Sequence, residues 1–396
     1  MTCCFSLVLF LGVLQSSYLR LYGKFSYTVK KYIVLFCVLL DMMNPKNLTI
    51  VLTGGGTAGH VSPNLALLPY LKQKFHTIYY IGSTKQNEQE MVESEGVKFY
   101  PLECVKLRRG ISIKNLGKNF AIPFGYCKSV KQAKQILCEI KPNIVFSKGG
   151  FVALPVVRAA KKLGIPVVIH ESDTTMGLAN KLSVGSASLV CTSFQSEKYI
   201  NTGSPIRQKI YNGDGGVILE RHGLGNEKRK LLVVGGSLGA ARINEVVRNT
   251  IGKLRELYDV IHICGRGKIN EDINLKFKNY VQIEYCGDIE NYFAWADIVV
   301  SRAGSNTLCE LMVLGKPTLF IPLATGRGDQ IDNVKEIIKR NAAEVLYEQN
   351  LNPDSFVRAV NSVFENRALY NLNAKGVTKD GTEIIANTIY GVVCNK

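Results

Sequence analysis

The chain is poor in acidic side chains: 32 Asp plus Glu stand against 49 Lys plus Arg in 396 residues, a formal charge of +17. The imbalance points to anionic partners and leaves three classes open: nucleic acid, acidic lipid headgroups and phosphorylated substrates. The first finds no support, because zinc-ligand spacings, RNA-binding aromatic motifs and a helix-turn-helix signature are all missing, so no nucleic acid is expected. Any Cys-x-x-Cys is missing too, and the 11 cysteines are irregularly scattered. That argues against a disulfide framework and fits buried thiols in a reducing compartment. Prolines are few, at 12, and 46% of residues are hydrophobic. A globular chain of this length is enough for two α/β domains of ordinary size.

Long apolar runs near the start are also wanting. Cys3 to Leu14 and Tyr32 to Leu40, separated by Arg20, Lys24, Lys30 and Lys31, each fall short of the roughly 18 residues that span a membrane. Met1-Thr2-Cys3-Cys4 lacks the positive charge that precedes the apolar core of a signal peptide. Residues 1 to 42 therefore read as an interfacial anchor, a poor signal sequence, or a leader upstream of a start at Met42 or Met43. The leader is favoured, because the first core strand begins only a few residues after those methionines.

What is present begins with Leu48 to Leu71, LTIVLTGGGTAGHVSPNLALLPYL. Leu48 to Leu52 reads as a buried parallel strand and Gly54, Gly55, Gly56 and Gly59 as a turn. A helix is expected to start near Pro63, with Ser62 as its N-cap. Glycines let the backbone approach a ligand, and the N–H groups of a helix start favour an anion such as a diphosphate. His60 is the ionisable side chain on that rim, as a reactive group or as one that only caps the loop. The next strand, Ile78 to Ile81, runs into Gly82-Ser83-Thr84-Lys85 without the acid that a nicotinamide-binding unit places there. Pro69 should kink the first helix.

Strands and helical patterns then alternate, the mark of parallel sheets. Val105 to Lys131 interleaves Lys106, Arg108, Arg109, Lys114, Lys118, Lys128 and Lys131 with Leu116, Phe120, Ile122, Phe124 and Tyr126. Such a mixture suits an anionic membrane surface or a solvated helix face. Asn143 to Ser147 leads into Lys148-Gly149-Gly150-Phe151, and Pro166 to Ile169 carries His170-Glu171-Ser172-Asp173 at its carboxyl end, where open parallel sheets bind ligands. His170 is equally readable as a satisfied core histidine.

After a linker at Asn201 to Pro205 the pattern restarts with strand Leu231 to Val234, the turn Gly235 to Ala240, and a helix. Two later helix starts, Ser305-Asn306-Thr307 with Glu310 and Asp329-Gln330 with Asn333, offer dipoles for phosphate, Glu310 for paired hydroxyls and Gln330 for sugar hydroxyls. That set suits a sugar nucleotide. No acid-rich constellation for Mg²⁺ accompanies it, so neither metal nor cofactor is expected.

The motifs GGGTAGHVSPNLAL, SKGGFVALPVVRAA, HESDTTMGLANKL, TGSPIR, GGSLGAARIN and SRAGSNTLCELMVLGKPTLFIPLATGRGDQIDNV occur in this order between about Asn47 and Tyr347. On these residues the chain resembles the MurG family, membrane-associated glycosyltransferases of peptidoglycan synthesis. The resemblance implies an α/β GT-B fold, two Rossmann-like domains with parallel sheets facing a cleft. Beyond the leader at 1–42 it implies an acceptor and membrane-side domain at 43–204 and a UDP-sugar domain at 205–375. A C-terminal helix within 376–396, at Ile384 to Val393, would return to the first domain. The implied reaction is inverting transfer of N-acetylglucosamine from its UDP donor to undecaprenyl-diphosphate-linked muramyl pentapeptide. It would take place on the anionic inner leaflet, by a peripheral protein on the cytoplasmic side of the cell membrane.

Carried onto single residues, the resemblance places Thr57, Ala58 and Gly59 on the donor side of the first loop and His60 as general base, with Asp173 as the alternative base. It places Arg207 near the uracil, Ser237 on the donor phosphates, and the backbone of Cys286 on the uracil. Ser305, Asn306, Thr307 and Glu310 surround the ribose, and Gln330 reads the sugar. Gly55, Gly56, Gly149 and Gly150 are left for the acceptor diphosphate. Two positions depart from the family: Ala58 stands for a glycine, implying an ordinary φ, and Asp173 for an amide. The alternatives are a GT-B transferase with another sugar donor or lipid acceptor, and a non-catalytic nucleotide-sugar binder.

Overall fold

The computed structural model describes residues 47–56, 58–104, 122–236, 239–324 and 328–394. The leader at 1–42, Thr57, Ser237 and most of the basic stretch Val105 to Lys131 lie outside the described residues.

Two parallel sheets carry the chain. The first contains β1 (Thr49–Thr53), β2 (Thr77–Ser83), β3 (Lys98–Leu102), β4 (Ile144–Ser147), β5 (Val167–Glu171), β6 (Leu189–Thr192) and β7 (Ile200–Asn201), in the order β3-β2-β1-β4-β5-β6-β7. The second contains β8 (Arg229–Val234), β9 (Tyr258–Ile263), β10 (Tyr280–Ile283), β11 (Ile298–Ser301), β12 (Thr318–Phe320) and β13 (Glu344–Val345), in the order β10-β9-β8-β11-β12-β13. Strand order reverses between β1 and β4 and again between β8 and β11. At such switch points a crevice opens beyond the carboxyl ends of the strands. This is the GT-B architecture of two Rossmann-like domains that the motifs implied.

The strands form because both of their faces are covered. β4 and β5 are buried at every residue, including the polar Ser147, His170 and Glu171 at their carboxyl ends, so short runs of Ile, Val and Phe stand where a one-sided strand would alternate. Val51, Ile81, Val145 and Ile169 from four strands pack in one cluster with Val156 and Ala160 of the covering helix Ala153–Lys162. Each large aliphatic side chain buried this way contributes about 1.5–3 kcal/mol.

The first helix departs from expectation. Helix α1 runs Ala58–Ala66 with Pro63 inside it, so it starts well before Pro63, Ser62 is not its N-cap, and His60 lies in its first turn. Proline has no N–H to offer the carbonyl four residues back, which is that of Gly59. The Gly59 carbonyl so freed finds another partner, the side-chain amide of Asn306. Pro69 does more than kink the chain: α1 stops at Ala66, and a separate turn of helix, α2 (Leu68–Leu71), begins with Pro69 in its first turn.

The remaining helices that matter to the site are α3 (Gln86–Glu93), α4 (Ile122–Ile140), α5 (Ala153–Lys162), α6 (Ala241–Leu257), α7 (Ser305–Val313), α8 (Asp329–Lys339) and α9 (Thr382–Cys394). α9 returns to the first sheet, where Tyr390 meets Phe75 edge to face at 6.2 Å and the Lys74 ammonium lies 5.4 Å from the Tyr390 ring. Among the described residues no helix is long and apolar enough to cross a membrane. Phe124, at the start of α4, is 84% exposed beside the exposed Lys128 and Lys131.

Candidate active site

His60 lies in the first turn of α1, just beyond the carboxyl end of β1. Its Nδ1 lies 3.2 Å from the backbone oxygen of Lys148. A carbonyl only accepts, so Nδ1 carries the proton and the neutral ring keeps its lone pair on Nε2. Burial, helped by the Lys148 ammonium, pulls the imidazole below its ordinary value, against the opposing influence of Glu171, the Lys148 hydrogen bond and Asp173. The ring is therefore in the form that accepts a proton at neutral pH.

The two glycine turns of the first domain pack on each other. Gly150 has φ +86°, and a Cβ there would stand 2.3 Å from the Gly55 oxygen and 3.1 Å from Cδ2 of His60. Gly56 has φ +96°, and a Cβ there would run into the Phe151 ring. Its N–H donates to Oε1 of Glu88 at 2.6 Å, while Oε2 accepts from the Ser83 N–H at 3.0 Å and Lys85 donates to the Gly56 oxygen at 2.8 Å. The Gly149 N–H donates to the Ser147 hydroxyl at 3.3 Å. Gly56 and Gly149 thus donate inside the fold. Reading the chain passed over Glu88: β2 ends without an acid, but a buried carboxylate returns to that point from α3 and holds the glycine turn.

At the end of β5, His170 is fully buried and donates from Nε2 to the Gly203 oxygen at 2.9 Å, with Nδ1 2.6 Å from the Lys148 ammonium. Burial, with the nearby ammonium, holds it well below the usual histidine range. It is a neutral, satisfied core histidine. Glu171 accepts from the N–H groups of Ser172, Asp173 and Gly177 and from the Asn180 amide, which shapes the loop that carries Asp173. Asp173 turns to the second domain: its Oδ1 accepts from Asn333 at 3.0 Å, and Oδ1 of Asn333 accepts from the Thr174 N–H at 2.9 Å and hydroxyl at 3.0 Å.

Across the crevice, Arg207 grips Glu310 at both ends, with Nε to Oε1 at 2.8 Å and Nη2 to Oε2 at 3.0 Å. Glu310 projects from α7, whose first turn is Ser305, Asn306 and Thr307, all half-buried. Asn306 donates to the Gly59 oxygen at 2.8 Å. Gln330, in the first turn of α8, accepts the Leu323 N–H on its Oε1 at 2.9 Å, which orients its amide nitrogen. Burial pushes the Cys286 thiol up to about 12, so it is neutral. Ala58 opens α1 with a helical backbone, as its departure from glycine implied. Thr57 and Ser237 lie outside the described residues. Among the described residues no group of three His, Cys, Asp or Glu side chains is placed to hold a metal ion.

Residues 50–192 match the glycosyltransferase family 28 N-terminal domain and residues 230–388 the C-terminal domain of the same family. A relative from Lachnoclostridium phytofermentans is 46% identical over 331 residues, 81% of this chain and 92% of the relative. The chain belongs to glycosyltransferase family 28. That relative is named a UDP-N-acetylglucosamine--N-acetylmuramyl-(pentapeptide) pyrophosphoryl-undecaprenol N-acetylglucosamine transferase. The same name is given to one from Lachnospira eligens, 43% identical over 351 residues, 86% of this chain and 98% of the relative. Among solved structures, Acinetobacter baumannii MurG has the same fold as this family 28 chain, with a TM-score of 0.69 at 23% identity over 87% of this chain and 100% of that one. A putative UDP-N-acetylglucosamine 2-epimerase from Listeria monocytogenes also superposes, at a TM-score of 0.60 and 12% identity over 88% of this chain and 96% of that one. Fold alone does not select the chemistry.

Proposed function

We infer that this family 28 glycosyltransferase moves N-acetylglucosamine from UDP-N-acetylglucosamine to undecaprenyl-diphosphate-linked N-acetylmuramyl pentapeptide, with inversion at the anomeric carbon. The observation that carries the reading is the match to relatives named for this transfer, at 46% and 43% identity over nearly their whole length. The site chemistry agrees with it. The muramyl hydroxyl attacks the anomeric carbon from the face opposite UDP, and Nε2 of His60 takes the hydroxyl proton as the bond forms. The leaving UDP gains negative charge, which the N–H groups and dipole at the start of α7 and the glycine turn before α6 are suited to meet. Glu310, oriented by Arg207, accepts from the ribose hydroxyls, and the Gln330 amide reads the sugar.

For the acceptor diphosphate, the anion-binding reading rests on Gly55 and Gly150, since Gly56 and Gly149 donate within the fold. Asp173 serves to engage Asn333 rather than to take the proton. The exposed Phe124 with Lys128 and Lys131 supports peripheral contact with an anionic inner leaflet; co-sedimentation with vesicles of anionic lipid, lost on Phe124→Ser, tests this.

The deciding experiment follows UDP release from UDP-N-acetylglucosamine with and without a short-chain lipid-linked muramyl pentapeptide. Acceptor-dependent release is expected. UDP binding with no release would favour a nucleotide-sugar-binding protein, and release driven only by a different lipid would favour another acceptor.

A further inference from the structure

Lys148 is a charged side chain where charge is costly. It follows β4, is 3% exposed, and has its N–H bonded to the Thr53 oxygen at 2.9 Å, so its backbone is pinned to the end of β1. Three of its contacts converge on the site. Its carbonyl accepts from Nδ1 of His60, and its ammonium meets Nδ1 of His170 at 2.6 Å and the Ser172 hydroxyl. Because His170 spends its own proton on the Gly203 oxygen, its Nδ1 offers a lone pair to the ammonium. Ser172 immediately precedes Asp173-Thr174, the two residues that engage Asn333 of the second domain.

We propose that Lys148 is a positioning residue of the transfer site: its carbonyl selects the His60 tautomer, while its buried ammonium governs the field at that imidazole and holds the loop that meets Asn333. The inference rests on the reading of His60 as base. A buried ammonium is disfavoured unless compensated, and Glu171 and Asp173 supply the compensation. Burial still draws Lys148 down to about 8, opposed by Glu171, Cys309, Asp173 and Cys191. At neutral pH it stays mostly charged. The charged groups that act on His60 are the Lys148 ammonium, which disfavours the imidazolium, and Glu171 and Asp173, which favour it, as does the hydrogen bond to the Lys148 carbonyl. Removing the ammonium leaves both carboxylates unopposed, so His60 holds its proton to higher pH.

The test is Lys148→Met, close in length and neutral. The His60 imidazole is followed by NMR on histidine-labelled full-length protein, with the resonance assigned by its loss in His60→Gln, and kcat/KM is profiled from pH 5.5 to 9. The His60 midpoint is expected to rise by half a pH unit or more. The acid limb of kcat/KM should move to higher pH by the same amount, so that activity at pH 6 relative to pH 8 falls, and Lys148→Arg should restore part of the loss. An unmoved His60 midpoint in folded Lys148→Met overturns the proposal. A midpoint that moves while the kinetic limb stays in place upholds the role of Lys148 and removes His60 as base. If Lys148→Met does not fold, wild-type protein decides: the His60 resonance should show a second inflection near pH 8 as the ammonium loses its proton, and a single inflection overturns the proposal.

Discussion

The side-chain amide of Asn306 donates to the carbonyl of Gly59 at 2.8 Å, and that carbonyl is open to it because Pro63, four residues on, has no N–H to claim it. A proline within one helix thus frees the acceptor through which the start of another, 247 residues away in sequence, reaches the helical turn that carries His60. Asn306→Ala removes an exposed bond worth about 0.5–1.5 kcal/mol. Since about 1.4 kcal/mol is tenfold, kcat/KM should fall about two- to tenfold, with little change in the thermal midpoint. Pro63→Ala, by returning a helical donor to compete for the same carbonyl, should act in the same direction. Unchanged steady-state kinetics in both variants would show that the contact plays no part in transfer.

Asp173→Asn separates a structural acid from a catalytic one. An amide oxygen accepts from Asn333 as a carboxylate does, so turnover should stay within about threefold of wild type, whereas loss of a general base costs about 10²–10⁴-fold. Asp173→Ala, which leaves Asn333 without that acceptor, should lose more than Asp173→Asn. A collapse of kcat in Asp173→Asn, with UDP binding intact, would return Asp173 to the role of base.

Arg207 and Glu310 are a bidentate pair whose side chains are 27% and 10% exposed. Glu310→Gln should weaken UDP binding about tenfold or more, a loss of about 1.5–3 kcal/mol for bonds to a charged group, as measured by titration calorimetry. Arg207→Ala leaves the buried carboxylate of Glu310 unpaired and should lower the thermal midpoint further than Glu310→Gln does. Equal midpoints would show that the pair adds nothing to stability.

Gly150→Ala places a methyl group 2.3 Å from the Gly55 oxygen at φ +86°, and the strained backbone alone costs about 1–3 kcal/mol. Urea unfolding should report that loss. Since the same Cβ presses on the His60 ring, kcat should fall more than the stability loss accounts for. A stable variant with normal kcat would mean that the two turns can separate without disturbing His60.

Two buried histidines make stability fall on acidification. His170 lies well below the usual range, and His262, which contacts Tyr280 and Asn244 at 2.9 and 3.0 Å, is lowered to about 3. Burial is the main cause for both. The unfolded chain takes up these protons below about pH 6.5 and the folded chain does not, so ν for the unfolded state is larger and stability rises with pH up to that point. Each histidine should remove about 1.4 kcal/mol per pH unit below about 6.5. Urea unfolding at pH 5.5 and 7.5 measures the slope, which His262→Gln should make shallower. A flat profile across that window would contradict the buried, neutral assignment.

Much of this protein was settled by local chemistry. Short apolar, β-branched runs with glycine turns at their ends, separated by helical patterns, can bury both faces only in parallel sheets covered by helices, and the family motifs ride on those turns. The first helix start was misread because Ser62 and Pro63 carry a genuine N-terminal signal, yet the helix begins at Ala58 with Pro63 inside it, and the Gly59 carbonyl that Pro63 leaves free accepts from Asn306. Tertiary structure alone decided what the site residues do to one another. The pairs Arg207 with Glu310 and Asp173 with Asn333 are 103 and 160 residues apart, and only the meeting of strand ends brings them within hydrogen-bond reach. The same holds for Glu88 reaching the Gly56 N–H and for the Lys148 ammonium between His170 and Ser172. A sequence states which charges and amides exist. Which of them share a desolvated space, and so set each other's protonation and orientation, depends on where the two sheets bring their carboxyl ends together.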